Sequence, residues 1–221
     1  GTGVNSSGLL DRYRSEMEDS FEPYLWSDED SFRYQNDAQK MFARDTGGIP
    51  DGTTAAVTRI EVTPAAEWYA LHPSILRIRT ASRSDTGRPV EVLNFEDMPE
   101  RRWYFDGTPG VLRAMVIGIE RHKVRMWPYP NETVNVDMTV FRLPLLEITD
   151  IGDQEFEIDA EHHRHLLHWM RHLGYLKQDT ETFDKSKAEE FAAKHLAYCT
   201  KVKEEEARKR HKTRYVRYGG I

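Results

Sequence analysis

The hydrophobic period of this chain changes twice along its length, and that change most limits the folds available to it. Apolar residues recur at helical spacing near both ends, whereas from Thr53 to about Asp150 apolar and polar residues alternate as in β-strands. Segregated helices and strands are typical of α+β proteins. We therefore predict an α+β fold in which a helical layer is built from both chain ends and an antiparallel β-module is inserted between them.

The boundaries follow from the same pattern. We predict a helical domain from residues 1–50 and 155–206, a β-module at 51–154 and an extended basic C-terminal arm at 207–221. With 38% apolar residues among 221, the chain can bury a core. No run approaches the roughly 18 apolar residues of a membrane span, and the first residues do not have the pattern of a signal peptide, so we expect neither.

Four helices are predicted. Ser6 or Ser7 can cap a helix to about Asp19, and Ser27 with three acidic residues after it marks the start of a helix that ends near Asp45. The third helix begins at about Asp159 and the fourth runs from about Asp184 to Glu206. Their apolar stripes are Leu166, Trp169, Met170, Leu173 and Leu176 on the third, and Ala188, Phe191, Ala192, Tyr198, Cys199 and Val202 on the fourth.

The central block contains short alternating segments separated by Pro, Gly, Asp and Asn turns. Because no helical pattern lies between these segments, we expect neighbouring strands to pair in antiparallel fashion. The strand candidates are Val57–Val62, Trp68–Leu71, Ile75–Ser82, Pro89–Leu93, Val111–Ile117, Lys123–Trp127 and Val134–Leu143.

The last fifteen residues carry six Lys or Arg and no acid, in a chain of net charge −6, so the remainder has a charge of −12. Such a segment has too little apolar content for a core and is typical of an arm that orders on a partner. A protein partner can receive it as an added strand, and a nucleic acid can bind its cations and stack on its Tyr rings. The acidic remainder favours the protein. The candidate binding residues are Arg208, Arg210, Lys212, Arg214, Tyr215, Val216, Arg217 and Tyr218.

Four side chains on the third helix form a histidine strip: Glu161, His165, His168 and His172, at i, i+4, i+7 and i+11. Such a strip can bind a metal, but the zincin pattern His-Glu-x-x-His is missing. Imidazoles beside an apolar stripe also pack at helix interfaces. A contact between subunits that weakens as the histidines become charged is the more favoured functional interpretation.

Signatures of catalysis are missing from the sequence. It contains neither a Gly-x-Ser-x-Gly elbow nor a phosphate-binding Gly-x-x-x-x-Gly-Lys-Ser/Thr loop. The single cysteine, Cys199, lies on the apolar face of the fourth helix, where a thiol is usually inert, and it excludes an internal disulfide. We therefore predict that the protein is not an enzyme and uses no cofactor or metal.

The order of several segments resembles the head-to-tail adaptor (connector) proteins of tailed bacteriophages. The similarity covers about residues 8–200 and depends on order and spacing more than on any single motif. The segments are Tyr24–Asp30, Asn36–Gln39, Thr58–Thr63, Tyr69–Leu71, Ile75–Ile78, Gly107–Pro109, Val140–Pro144 and Gln178–Asp184.

This resemblance implies a structural protein of the virion neck, made in the host cytoplasm. It implies a homo-oligomeric ring, commonly a dodecamer, that joins the portal protein ring to the tail nozzle or tube protein. DNA passes through the channel without sequence-specific binding during genome ejection, and no membrane is involved. The resemblance further implies ring contacts from the helical domain, a β-module facing the tail and a C-terminal extension that docks on the portal.

Overall fold

The computed structural model of this chain describes residues 3–64, 66–98, 107–149, 152–179 and 181–214. The chain divides into two compact units. The helical unit comprises Gly1–Gly48 and Pro144–Ile221, and the β unit comprises Ile49–Leu143. The α+β class is confirmed. Residues 144–149 belong to the helical unit, because the Asn36 side chain donates to Ile148 O (2.6 Å) and accepts from Ile148 N (2.5 Å), whereas the predicted β-module extended to residue 154.

The helical unit contains α1 (Ser6–Glu16), α2 (Asp28–Asp45), α4 (Leu166–Tyr175) and α5 (Lys185–Arg214), with a 3₁₀ helix at Ala160–His165 before α4. The Ser27 cap of α2 is confirmed, and its capping box with Asp30 is complete. Asn5, not Ser6 or Ser7, caps α1, since its Oδ1 accepts from Gly8 N (2.8 Å). After α2, Gly47 and Gly48 both adopt positive φ, which glycine tolerates best.

The core of the helical unit is formed by side chains from all four helices. The completely or almost completely buried apolar residues include Leu9, Tyr13, Ala38, Phe42, Leu166, Met170, Ala188 and Phe191. The predicted stripe of α4 is therefore buried at Leu166 and Met170, but Leu176 at its end is exposed. Residue 176 is the C-cap of α4, where the chain turns away from the core.

The C-terminal helix is longer than predicted. It continues to Arg214, whereas the sequence suggested an end at Glu206 and an extended arm from residue 207. The prediction of an extended arm is therefore wrong for residues 207–214. Ala, Arg and Lys are strong helix formers, Lys209 Nζ pairs with Glu206 Oε1 (3.3 Å), and cations near a helix C-terminus interact favourably with its dipole. Residues 215–221 lie outside the described residues.

Among its described residues the β unit contains ten strands and one short α-helix, with a 3₁₀ helix at Phe95–Asp97 after the fifth strand. The strands and the α-helix are β1 (Ile49–Asp51), α3 (Ala55–Thr58), β2 (Arg59–Val62), β3 (Trp68–Ala70), β4 (Ile75–Arg83), β5 (Pro89–Asn94), β6 (Pro109–Gly110), β7 (Ala114–Ile117), β8 (Lys123–Trp127), β9 (Tyr129–Pro130) and β10 (Val134–Arg142). The strand predicted at Val57–Val62 begins only at Arg59, as β2, because α3 includes residues 57 and 58.

The main sheet has the order β1-β10-β4-β5-β7-β8-β3, with β2 also paired to β10. Most pairs are antiparallel, but β5 and β7 are parallel, as are β6 and β9 in a small second sheet. The prediction of an antiparallel module is therefore wrong at these pairs, and the sheet is mixed. Parallel pairing needs a crossover of about a dozen residues or more, and residues 95–113 supply one.

Aliphatic side chains and methionines fill the core of the β unit. Strand β2 alternates exposed and buried residues, as predicted from its sequence. The buried core residues are Val57, Ile60, Val62, Ala81, Val90, Leu112, Met115, Val124, Met126, Val134, Val136, Met138 and Val140.

Candidate functional site

Helix α5 is the longest element among the described residues and carries four of the eight predicted arm residues. Its 30 residues span about 45 Å. The part that packs in the helical unit is marked by buried side chains at helical spacing, the last of which is Val202. Beyond Val202 the described side chains, up to residue 211, are exposed except for the half-buried Ala207. The last turns of α5 therefore add no residue to the core.

The exposed end of α5 is divided by charge. Three acidic residues occupy 204–206, and three basic residues follow at 208–210. Arg208 and Arg210 are exposed and lie about 200° apart around the helix axis. The helix thus presents its cations to more than one side. A strand would alternate them between two faces.

The other predicted arm residues are described less fully. Lys212 and Arg214 lie on the last turn of α5. Tyr215, Val216, Arg217 and Tyr218 are outside the described residues, so the predicted strand addition at 214–218 stays a prediction.

The histidine strip lies against α5. The His165 ring stacks on the Tyr198 ring, with centroids 3.6 Å apart and planes at 9°. Its Nδ1 is 3.2 Å from His168 Nε2. His172 Nδ1 donates to the Ala188 carbonyl at 2.7 Å. The three histidines are half-buried and share the interface between α4 and α5.

Glu161 does not join this strip. Residues 160–165 form a 3₁₀ helix with about three residues per turn, so positions 161 and 165 do not stack as they would in an α-helix. His162 occupies the place instead, with Nδ1 2.7 Å from the Tyr198 hydroxyl. The sequence pattern did not predict His162, because α-helical spacing from residue 159 does not place it on the strip.

The electrostatics of the strip favour neutral imidazoles. Burial, together with the neighbouring His168, Arg164, His162 and Lys201, lowers the pKa of His165 to about 4. Burial also lowers the pKa of His168, helped by Lys194, His195 and Arg171. Two neutral imidazoles can share one hydrogen bond, since one ring nitrogen donates and the other accepts. At neutral pH His165 and His168 therefore form an uncharged pair.

A second polar cluster, which the sequence analysis did not single out, lies between α2 and α5. His195 Nε2 is 2.8 Å from Asp45 Oδ2 and 3.6 Å from Cys199 Sγ. His195 and Cys199 are each 2% exposed. Burial, together with the Asp45 charge, raises the pKa of the Cys199 thiol to about 12. The i, i+4 spacing of His195 and Cys199 was the available signal, but Asp45 comes from the opposite end of the chain.

Within the part of the chain that the structure describes, no helix combines the length and the apolar character needed to cross a bilayer.

Comparison with known proteins identifies the family. A model of the family described as SU10 adaptor protein matches residues 4–215, from the residue before the α1 cap to the residue after α5. No curated protein matches the chain. The family match confirms the resemblance to head-to-tail adaptors of tailed phages and makes the chain a structural phage protein. Because the match covers nearly the whole sequence, this protein belongs to the SU10 adaptor protein family.

Proposed function

We propose that this protein is the head-to-tail adaptor of a tailed phage and forms a dodecameric ring in the virion neck. The ring joins the portal protein to the tail nozzle or tube protein and surrounds the channel through which DNA leaves. The helical unit supplies the contacts between subunits, and the β unit faces the tail. The role is structural and uses no catalytic residue and no cofactor.

The exposed end of α5 is the observation that carries the portal contact. After Val202 the described side chains bury no part of the core, yet the helix continues to Arg214. An exposed helix end with cations on several sides fits an acidic protein surface, since opposite charges orient an encounter. Tyr215 and Tyr218 follow this helix in the sequence, and we propose them as anchors of the contact.

The charge distribution supports passage of DNA without binding. Outside the last fifteen residues the chain has a net charge of −12. Carboxylates on a channel wall repel phosphates and do not trap the duplex. Repetition of a modest portal contact around the ring then multiplies its affinity through avidity.

Two truncations of the full chain test the portal contact. We expect removal of residues 207–221 to abolish co-sedimentation with portal rings, because it removes the six Lys and Arg residues of the C-terminal end. Removal of residues 215–221 alone should weaken binding and keep the helical cations. Circular dichroism controls for folding, and both truncated proteins should retain the packed part of α5. Unchanged co-sedimentation of the protein that lacks residues 207–221 would refute the portal contact.

Nucleic-acid binding is the second candidate, favoured by six cations in fifteen residues with no acid among them. A gel-shift titration at increasing salt separates the two functions. Affinity for DNA that falls steeply with salt and disappears with residues 207–221 would favour nucleic acid. Weak binding that does not change on truncation, with intact portal binding in the full chain, would favour the adaptor role.

We also place part of the subunit contact at the histidine strip. His165 and His168 are half-buried in the single chain and keep part of their surface for a neighbour. Charging these rings places like charges side by side, so the ring should dissociate more readily below the pKa of these histidines. Sedimentation velocity at a series of pH values measures this directly. A ring whose dissociation does not depend on pH would remove the strip from the contact.

A further inference from the structure

We propose that Asp45, His195 and Cys199 form a binding site for a transition-metal dication of the Zn²⁺ class. The site belongs to the helical unit and does not depend on the ring or on the portal contact. Its ligands come from the last turn of α2 and from two adjacent turns of α5. A bound metal would tie these two helices together.

The donor atoms lie close together around the His195 ring. The carboxylate oxygen of Asp45 accepts a hydrogen bond from Nε2 (2.8 Å), and the sulfur of Cys199 lies toward the face of the ring, 3.6 Å from Nε2 and 4.0 Å from Nδ1. One ligand atom from each residue lies within 4.8 Å of the other two. Nε2 can donate a single hydrogen bond, which Asp45 receives. A metal that replaces the Nε2 proton would contact all three groups once the ring turns Nε2 toward the sulfur.

The separation of Nε2 and Sγ suits a tetrahedral ion, and the ring and Asp45 must move to complete the site. Bonds of about 2.1 Å to nitrogen and 2.3 Å to sulfur, at a tetrahedral angle, separate the two ligand atoms by about 3.6 Å. The observed separation of Nε2 and Sγ is 3.6 Å, but Nδ1 is only 4.0 Å from the sulfur, so the ring must turn to direct Nε2 at the ion. The oxygen of Asp45, at 2.8 Å from Nε2, must retreat by about 0.6 Å to reach the corresponding separation. Its side chain is 24% exposed and stands on a helix end, so it has room to move.

Burial and donor type select the metal. His195 and Cys199 are shielded from water, and the partly exposed Asp45 marks the side from which a water can enter as fourth ligand. Three protein ligands and one water are a common zinc arrangement. Thiolate and imidazole favour Zn²⁺ over Mg²⁺ or Ca²⁺, which prefer oxygen. Because the thiol is protonated without metal, binding must release its proton.

Cobalt titration of the full-length protein, after metal removal, tests the site. We expect one Co²⁺ per chain and a thiolate-to-cobalt charge-transfer band in the near ultraviolet, with Zn²⁺ displacing the cobalt. Cys199→Ser should abolish that band, and His195→Gln should lower the affinity by more than about 100-fold, which exceeds the usual effect of removing a supporting group around a ligand. Asp45→Asn should lower it by at least about 10-fold.

The control is His122→Asn, which removes an exposed histidine of the β unit at a positive φ that Asn tolerates. It should leave cobalt binding unchanged. If His195→Gln does not fold, the wild-type thiol still gives an answer, because Zn²⁺ should slow its reaction with a thiol reagent. Three results would each refute the site. They are the absence of the charge-transfer band, unchanged cobalt binding in Cys199→Ser, and a thiol reaction whose rate does not change with Zn²⁺.

Discussion

The two units of this protein bury different chemistry. The core of the β unit is almost entirely apolar, and the ion pair of Arg142 with Asp51 is buried beside it. The helical unit buries charged and polar side chains from distant parts of the chain, among them Arg14, Asp19, Gln39 and His195. In the first unit, apolar surface and the strand pattern select the packing. In the second, specific polar contacts also join segments that the sequence separates widely.

Arg14 shows how the helical unit is held together. Its guanidinium donates hydrogen bonds to Asp19 Oδ2 (3.2 Å) and Trp26 O (3.0 Å). It also contacts Asp28 Oδ1 and lies over the Tyr24 ring, 3.6 Å from the centroid. Asp19 in turn accepts from the backbone N–H of residues 25 and 26. One buried ion pair therefore shapes the connection between α1 and α2. Such a connection should be sensitive to single substitutions.

The largest expected effect is the loss of this pair. We expect Arg14→Ala to lower the free energy of unfolding of the helical unit by about 3–5 kcal/mol, because Asp19 remains buried without its partner. In the β unit, Arg59→Ala removes the exposed pair of Arg59 Nε with Asp137 Oδ1 (2.9 Å) and should lower the free energy of unfolding far less, because water screens this pair. Urea unfolding followed by circular dichroism measures both. If both substitutions lowered the free energy of unfolding equally, the proposed difference between the two units would be wrong.

A smaller effect concerns the contact between α1 and α4. A Cβ on Gly174 would collide with the Tyr13 hydroxyl, so Gly174→Ala should cost about 1–3 kcal/mol of stability. That hydroxyl is buried and has no hydrogen-bond partner among the described residues, so Tyr13→Phe should be nearly neutral and should rescue part of the loss in the double variant. Thermal unfolding of the wild type, the two single variants and the double variant measures the coupling free energy between residues 13 and 174.

The matched control for this cycle lies in the β unit. A Cβ on Gly107 meets nothing within 4 Å, so Gly107→Ala should be neutral or stabilising by up to about 1 kcal/mol. If the double variant shows no rescue, Tyr13 does not cause the cost at residue 174.

The smallest expected effect is a difference in pH dependence. The folded state lowers the pKa of His165 to about 4, so the unfolded chain binds the proton first as pH falls below about 6.5. The contribution of His165 to the stability of the helical unit is therefore complete above that pH and is lost as the pH falls from about 6.5 to about 4. The loss should be roughly 1–2 kcal/mol once the partial exposure of the ring is taken into account.

The β unit should respond in a lower pH window. Ion pairing and hydrogen bonds lower the pKa of Asp85, Glu132 and Asp137, so these contributions persist above the carboxyl values of the unfolded chain and are lost only at more acidic pH. Urea midpoints from pH 7 to 4 distinguish the windows. His165→Phe retains a ring beside Tyr198 and should flatten the helical-unit profile. An unchanged slope in that variant would assign the proton uptake to another group.

Much of the local structure is encoded within short segments. The bounds of α2 follow from Ser27, its capping box and the glycines after Asp45, all of which act within a few residues. The alternation of β2 and the extent of β8 were likewise predictable, because burial of every second residue leaves a direct trace in the sequence. The family resemblance was visible in the same way, through the order of helices, strands and turns.

The sequence by itself therefore determined the α+β class, the order of helices and strands and the basic character of the C-terminal end. Tertiary structure decided which distant segments meet: the parallel pairing of β5 with β7, the stacking of His165 on Tyr198 and the approach of Asp45 to His195 and Cys199. Local propensity acts over a turn or a strand, whereas these contacts depend on how whole elements pack. Periodicity does not specify that packing, because many partners can bury the same apolar face.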